Sequence, residues 1–219
     1  MIIEYSGSDI GKQSTRELYE EVFDDPKDFV DYYYSDKCID NRMFVSIEDG
    51  EVVSMLHLNP YSINLCGSVV RSYYVVAVAT RKEYRHKGHM KKLFEKAFEV
   101  LLTEHVPFVF LMPVDEAIYS WMGFERICDF TVSKVKYYEL IQKLYDVYCV
   151  QDENYVRRMT NEDELRKLDM GEALPEDPLI MARITDLNSF NEAVSQSFAS
   201  EHEALEYLRG KNIYICEEV

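Results

Sequence analysis

The chain has 219 residues and a mass of 25.8 kDa, enough for one domain with a good-sized core or a domain plus a smaller lobe. Hydrophobic residues make up 47% and charged residues 29%, a globular balance that excludes global disorder. Lys plus Arg number 24 against 40 Asp plus Glu, a formal charge of −16, so nucleic acid and anionic lipid are repelled unless a local basic patch overrides the whole.

No stretch approaches the roughly 20 apolar residues of a membrane span. The start, MIIEYSGSDIGKQ, lacks a basic segment followed by an apolar core, so it does not read as a secretory signal. The expectation is a soluble, cytoplasmic protein with neither nucleic acid nor membrane as partner; a homo-oligomer is compatible with the sequence. Cys38, Cys66, Cys128, Cys149 and Cys216 are scattered and form no CxxC pair, which reads as reduced, mostly buried thiols. His86 and His89 are the only close histidines and lie among lysines; no metal site is expected.

In chain order, Ser14 or Thr15 offers a helix cap, followed by Leu18, Val22 and Phe23 at helical spacing. Asp25-Pro26 breaks that helix, and a second short one runs through Phe29 to Tyr34. The run MFVSIEDGEVVSMLHL reads as two strands joined by a tight turn at Glu48-Asp49-Gly50. A further hairpin is expected around Asn59 to Gly67, leading into SVVRSYYVVAVAT, the most β-prone run in the chain.

After Thr80 the pattern changes. RKEYRHKGHMKK carries six Lys/Arg against one Glu, and an amphipathic helix follows with Met90, Leu93, Phe94, Ala97, Phe98, Leu101 and Leu102 on one face. FVFLM after Pro107 suits a strand buried on both faces. Asp115 to Met122 reads as a short helix ended by Gly123, and FERICDFTV as another strand. YYELIQKLYDVY is helix-capable but ambiguous. TNEDELRKLDMGEALPEDP reads as a polar linker or exposed lobe. LIMARI is a short strand, Asp186 to Phe198 and Glu201 to Leu208 are helical, and NIYICEEV is a terminal strand. The fold class expected is α/β, a mixed central sheet flanked by helices with a small C-terminal α/β lobe.

A strand that ends in a Gly-containing basic loop and opens a helix is a phosphate-binding device. Free N–H groups at the helix start and the positive end of its dipole attract an anion. Here the elements are the strand to Thr80, the loop Arg85-His86-Lys87-Gly88 and the helix from His89, with Gly88 allowing close backbone approach. Lys87, Lys91 and Lys92 add long-range attraction. The plainer reading is a solvated, lysine-rich helix start. Neither GxxxxGK[ST] nor GxGxxG is present.

Val78-Ala79-Thr80-x-x-Glu83-Tyr84-Arg85-x-x-Gly88 resembles the acyl-CoA motif of the GNAT N-acetyltransferases, [RQ]-x-x-G-x-[GA], with Met90 in place of the last Gly or Ala. That departure resembles the Eis-like (enhanced intracellular survival) branch. So do Ser54-Met55-Leu56-His57-Leu58-Asn59-Pro60-Tyr61, Leu111-Met112-Pro113 and Tyr119-Ser120-Trp121-Met122-Gly123-Phe124. The resemblance covers residues 1–132 as a catalytic domain. It leaves 133–219 as an abbreviated lobe, in which Tyr145 to Met159 resembles the start of a second GNAT-like lobe and Pro178 to Ile184 the start of a sterol-carrier-like part.

The resemblance implies acetyl transfer from acetyl-CoA, as co-substrate, to a primary amine on a small-molecule or peptide acceptor, with no metal. It implies that the backbone of Val78, Ala79 and Thr80 pairs with the pantetheine arm. The loop Arg85, His86, Lys87, Gly88, His89, Met90 and Lys91 would hold the pyrophosphate. Tyr119, four residues before Gly123, takes the place of the general acid; a phenol stays protonated at neutral pH. The carboxylate of Val219 is the candidate aid in deprotonating the amine, held by a strand whose alternate residues face opposite ways. Trp121 reads as packing or pocket wall, and His57 as a strand residue rather than a base. A second reading is a catalytically weak acyl-CoA-binding or interaction module; a third is a nucleotide- or sulfonucleotide-binding enzyme of another fold, which leaves Y-x-x-x-G-F unexplained.

Overall fold

The computed structural model describes residues 1–7, 9–168 and 177–218. It opens with a strand that the sequence reading omits, β1 (Ile2–Tyr5); four residues carry too little periodicity to show. A 3-10 turn over Ile10–Thr15 is capped by Asp9, whose carboxylate accepts from the Gly11 N–H at 2.8 Å. Helix α1 (Arg16–Val22) follows. Thr15 holds the N-cap position, as expected, but its side chain caps nothing: the hydroxyl donates back to the Lys12 carbonyl at 2.7 Å and meets the Tyr34 hydroxyl at 2.9 Å. Pro26 separates α1 from α2 (Lys27–Ser35), as its ring and missing N–H require.

Strands β2 (Arg42–Glu48) and β3 (Glu51–Leu65) are joined at Asp49-Gly50 with φ of 51° and 87°, the pair of left-handed residues that a tight hairpin needs. The second hairpin turns later than Asn59: β3 continues to Leu65, and Cys66-Gly67 (φ 52° and 98°) lead into β4 (Ser68–Thr80). Pro60 lies beyond Leu58, the last residue that β2 pairs, so β2 requires no ladder donor from it. Helix α3 (His89–Thr103) buries Leu93, Phe94, Ala97 and Leu101, whereas Leu102 is 53% exposed and does not belong to the expected face.

The rest of the chain is β5 (Phe108–Leu111), α4 (Ala117–Ser120), β6 (Glu125–Asp129), α5 (Tyr138–Leu144), β7 (Val147–Cys149), α6 (Glu153–Leu168), β8 (Leu179–Ile184), α7 (Leu187–Val194), α8 (Glu201–Arg209) and β9 (Ile213–Tyr214). Much of the expected polar linker is therefore helical, up to Leu168; its residues 169–176 lie outside the described residues. The terminal strand is two residues long. Ile213 to Glu217 are all buried, so the expected alternation of faces does not hold. Their surroundings explain it: the Thr131 N–H bonds the Ile215 carbonyl at 2.8 Å, outside any ladder.

Two compact units interleave along the chain, and β3 and β4 run through both. The first comprises Met1–Pro60, Val75–Val100 and helix α6. Its strands β1, β2 and β3 pair antiparallel, with Ile2 opposite Ser46 and Arg42 opposite Leu58. The β2–β3 register slips after Ser46, from Ser46↔Ser54 to Ile47↔Val52, leaving Val53 as the extra residue of a bulge. Leu18, Tyr33, Met43, Phe44, Met55, Leu56 and Phe94 fill its core. Helix α6 is held by charge: Lys37 Nζ meets Glu162 Oε1 at 3.0 Å, both buried, and Arg158 pairs with Asp36 and Asp40 at 3.1 and 3.0 Å.

The second unit comprises Tyr61–Tyr74, Leu101–Asp152 and the described residues from 177 onward. Strand β4 pairs parallel with β5 at Tyr73↔Val109 and Tyr74↔Phe110. Strand β8 lies antiparallel between β5 and β6, while β7 pairs with the end of β3 and, in parallel, with β9. Phe108, Phe110, Phe124, Ile180, Met181, Phe190, Leu205 and Leu208 form its core. The result is a mixed sheet with flanking helices, the class the sequence pattern calls for. All five cysteines are free thiols. Among the described residues no helix is long and apolar enough to cross a membrane.

Candidate active site

The end of β4 is irregular in a way that its β-rich sequence does not show. Ala77 has φ of 51°, a conformation that an L-residue seldom adopts and that breaks the pleat. Beyond it the Ser54 hydroxyl donates to the Ala79 carbonyl at 2.9 Å and meets Thr80 Oγ1 at 2.8 Å, while Arg85 Nε donates to the Thr80 carbonyl at 3.1 Å. Arg81 is tied down three ways. Its N–H bonds the Val53 carbonyl at 2.9 Å, its Nε the Val52 carbonyl at 3.1 Å, and its outer nitrogens Glu17 and Glu21 at 3.2 and 2.6 Å.

The loop then opens through a 3-10 turn at Lys82–Tyr84. His86 and Gly88 both have positive φ, 60° and 81°. A Cβ added at Gly88 would meet no atom within 4 Å, so the glycine is required by its backbone angle, and the space above it is open. The helical ladder of α3 starts with the Lys92 N–H on the Gly88 carbonyl at 3.2 Å. The N–H groups of His89, Met90 and Lys91 therefore precede it, as the first donors of any helix do. Lys87 lies over the Tyr84 ring, 4.8 Å from its centroid. His89 alone in this loop turns its side chain inward: it is buried, its Nδ1 is 2.9 Å from Ser46 Oγ, and its ring meets the edge of Tyr84. Only its backbone serves the loop. The structure thus gathers Arg85 to Lys91 into one turn, exposed except at His89 and Met90, at the end of the strand that carries Val78, Ala79 and Thr80.

Tyr119 belongs to the other unit, on the short α4. Asp115 starts that turn by accepting from the Ala117 N–H at 2.9 Å, and Gly123 ends it with φ of 83°. A side chain at Gly123 would collide with the Arg183 guanidinium, 2.8 Å from an added Cβ. Arg183, on β8, donates to the Met122 carbonyl, setting a cation where the helix end is negative. The Tyr119 ring packs edge-on against Phe124, 5.9 Å between centroids. Burial pushes its phenol up to about 12. Glu217 and Glu218 stand in the same electrostatic neighbourhood: with Tyr119 they raise the buried Tyr74 phenol, already raised by its own burial. The Glu217 side chain is fully buried and accepts from the Cys216 N–H at 3.0 Å. Val219 lies outside the described residues.

Trp121 is 55% exposed, so interior packing is not its role. His57 is fully buried, with Nδ1 3.0 Å from the Tyr33 hydroxyl, and burial lowers its pKa to about 3; it is a neutral strand residue. Glu125, His202 and Glu206 converge in the second unit, but Arg209 pairs with both glutamates and His202 bonds Glu125 at 2.9 Å, an arrangement complete as a salt-bridge cluster. Sequence reasoning missed Ser46, Ser54 and Arg183. Each acts on residues far away in the chain; Ser54 and Arg183 fall inside segments that carry the resemblance, but nothing local marks their roles.

These elements can be set beside known proteins. A family model described as an acetyltransferase (GNAT) domain matches residues 9–127. Among curated proteins no sequence relative matches the chain. The fold is similar to that of a probable N-acyltransferase from Enterococcus faecalis V583 (TM-score 0.61, 12% identity, 88% of this chain and 75% of that one). It is also similar to GCN5-related N-acetyltransferases from Anabaena variabilis ATCC 29413 (0.58, 13%, 88% and 75%) and Kribbella flavida (0.56, 12%, 91% and 75%). The family match spans more than half of the chain, and it includes the β4–loop–α3 unit and the α4 turn. The chain belongs to the GNAT acetyltransferase family.

Proposed function

We propose that this acetyltransferase moves an acetyl group from acetyl-CoA to a primary amine on a small-molecule or peptide acceptor, within the Eis-like branch and in the cytoplasm. Residues 1–132, the stretch that holds the loop and Tyr119, carry the chemistry. The observation that carries the reading is the turn at His86 and Gly88, with positive φ at both residues and open space over the glycine. It leads into helix-start N–H groups at His89, Met90 and Lys91. Such a turn takes a phosphate through its backbone. Arg85, Lys87 and Lys91 add attraction in a chain that is otherwise strongly acidic. The backbone of Val78, Ala79 and Thr80 takes the pantetheine arm; the Ala79 and Thr80 carbonyls keep a second lone pair beyond their bonds to Ser54 and Arg85.

In the reaction the neutral amine attacks the thioester carbonyl, the C–N bond forms and the C–S bond breaks. Tyr119 hydrogen-bonds the departing thiolate and gives it a proton; the proton lost by the amine returns to the phenolate through water. Burial keeps the phenol loaded at working pH and makes its anion costly, so the two proton movements are coupled. Calorimetric titration with acetyl-CoA, followed by CoA-release assays over a panel of amines, tests this. Binding with turnover of at least one amine is the expected result. Binding without turnover on any amine leaves the acyl-CoA-binding module, and no binding removes the site.

A further inference from the structure

Ser46 and Ser54 stand directly opposite each other on β2 and β3, so their side chains leave the same face of the sheet. Both are buried, at 4% and 0% exposure, and a buried hydroxyl has to find a partner. Their partners lie in two different places. Ser46 Oγ is 2.9 Å from His89 Nδ1, at the first residue of α3. Ser54 Oγ donates to the Ala79 carbonyl at 2.9 Å and meets Thr80 Oγ1 at 2.8 Å, at the last two residues of β4. The bulge begins immediately beyond this pair, and the carbonyls it turns out, of Val52 and Val53, hold Arg81, the residue that leads from β4 into the loop. Two strands remote in sequence from the loop thus fix the start of its helix, the end of its strand and its first arginine.

We infer that Ser46 and Ser54 are a pair of positioning residues for the acyl-CoA site. Ser46 sets the position of the α3 start through the His89 imidazole, and Ser54 sets the strand end through Ala79 and Thr80. The inference rests on the reading of that loop and strand end as the cofactor's binding groups. Neither serine meets the ligand. The N–H groups of His89, Met90 and Lys91 point along the axis out of the helix start, and a tilt or shift of that end of α3 would carry them away from a bound phosphate. The bond from the buried imidazole to Ser46, with Tyr84 against the ring, is what opposes that movement. Ser54 plays the corresponding part for the backbone groups of Val78 to Thr80, just past the irregularity at Ala77.

The two serines separate experimentally because they serve different parts of one ligand. Calorimetry is run with CoA and with adenosine 3′-phosphate 5′-diphosphate, which keeps the pyrophosphate and lacks the pantetheine arm. Ser46→Ala should weaken both by about five- to tenfold, the loss of one buried hydrogen bond's worth of order. Ser54→Ala should weaken CoA by a similar factor and leave the smaller probe within about twofold. Ser46→Thr, which keeps the hydroxyl, should restore affinity, and adding Ser46→Ala to His89→Ala should cost nothing further. Thermal melts establish that each variant is folded; if Ser46→Ala does not fold, His89→Leu is measured in its place and should show the same loss on both probes. Unchanged affinities in both variants, or equal losses on both probes from both variants, overturn the positioning pair while the cofactor reading stands. Failure of the wild-type protein to bind either probe overturns the cofactor reading itself, and the inference with it.

Discussion

The loop Arg85–Lys91 and the turn that carries Tyr119 solve opposite problems. The loop is exposed except at His89 and Met90, has left-handed angles at His86 and Gly88, and on the proposed reading works through its backbone. On the proposed reading the Tyr119 turn works through one side chain; its glycine has φ of 83° and lies against the Arg183 guanidinium. One region is therefore sensitive at its backbone, and the other at its backbone and at one side chain. The lesson is that the glycines of the two motifs share a positive φ that disfavours any side chain, and differ only in their surroundings: open space at Gly88 and the Arg183 guanidinium at Gly123.

Substitutions can break that comparison or sharpen it. The largest effect should come from Tyr119→Phe, which removes the proposed proton donor and keeps the ring against Phe124. It should lower kcat by about 10²-fold or more with CoA affinity unchanged, and an equal loss of affinity would show that Tyr119 is a wall of the cofactor site. The same residue sets a pH limit. Its folded pKa, about 12, is raised above the free value of about 10. Protonation therefore contributes stability and activity fully below pH 10, both lost as pH rises through 12. Rate profiles of the wild-type enzyme should show no falling limb from this group up to about pH 11; an alkaline limb near pH 9 that Tyr119→Phe abolishes would refute the shift.

Next in size is Gly88→Val. Its cost is backbone strain at positive φ, with the space above it open, and it should raise the Kd for acetyl-CoA by roughly tenfold or more while kcat at saturation stays within about threefold. Unchanged affinity would mean that the loop is not the phosphate site. The smallest effect should be Lys87→Ala, a side-chain loss in the backbone-driven region. It should weaken acetyl-CoA by about threefold at low salt and less at physiological ionic strength. A loss as large as that of Gly88→Val would erase the distinction between the two regions.

What could be read from the sequence follows the same division between local and remote causes. The hairpin at Asp49-Gly50, the helix after Gly88 and the Tyr119-x-x-x-Gly123 turn are written in adjacent residues, and each is where the pattern puts it. The helix Glu153–Leu168 was illegible because almost nothing apolar marks a face: it is held by Lys37, Asp36 and Asp40 against Glu162 and Arg158, partners more than a hundred positions away. Thr15 holds the cap position but its side chain is a buried link to Tyr34, because the 3-10 turn begun at Asp9 has already started the chain on its helical path. Strand β8 is an ordinary apolar run in sequence; its place between β5 and β6 is a property of the whole sheet. Ser46 and Ser54 are two common residues on opposite strands, and their significance appears only when His89 and Ala79 arrive beside them.

Trp121 is the only tryptophan in the chain, it is more than half exposed, and it stands two residues from Tyr119. The protein consequently carries its own optical probe. Indole emission from a solvated ring lies to the red and moves to the blue when water is displaced from it, and no second tryptophan dilutes the signal. An acceptor amine that covers this surface would therefore announce itself in the emission spectrum before any acetyl group has moved, and candidate acceptors could be ranked by spectral shift without a coupled assay.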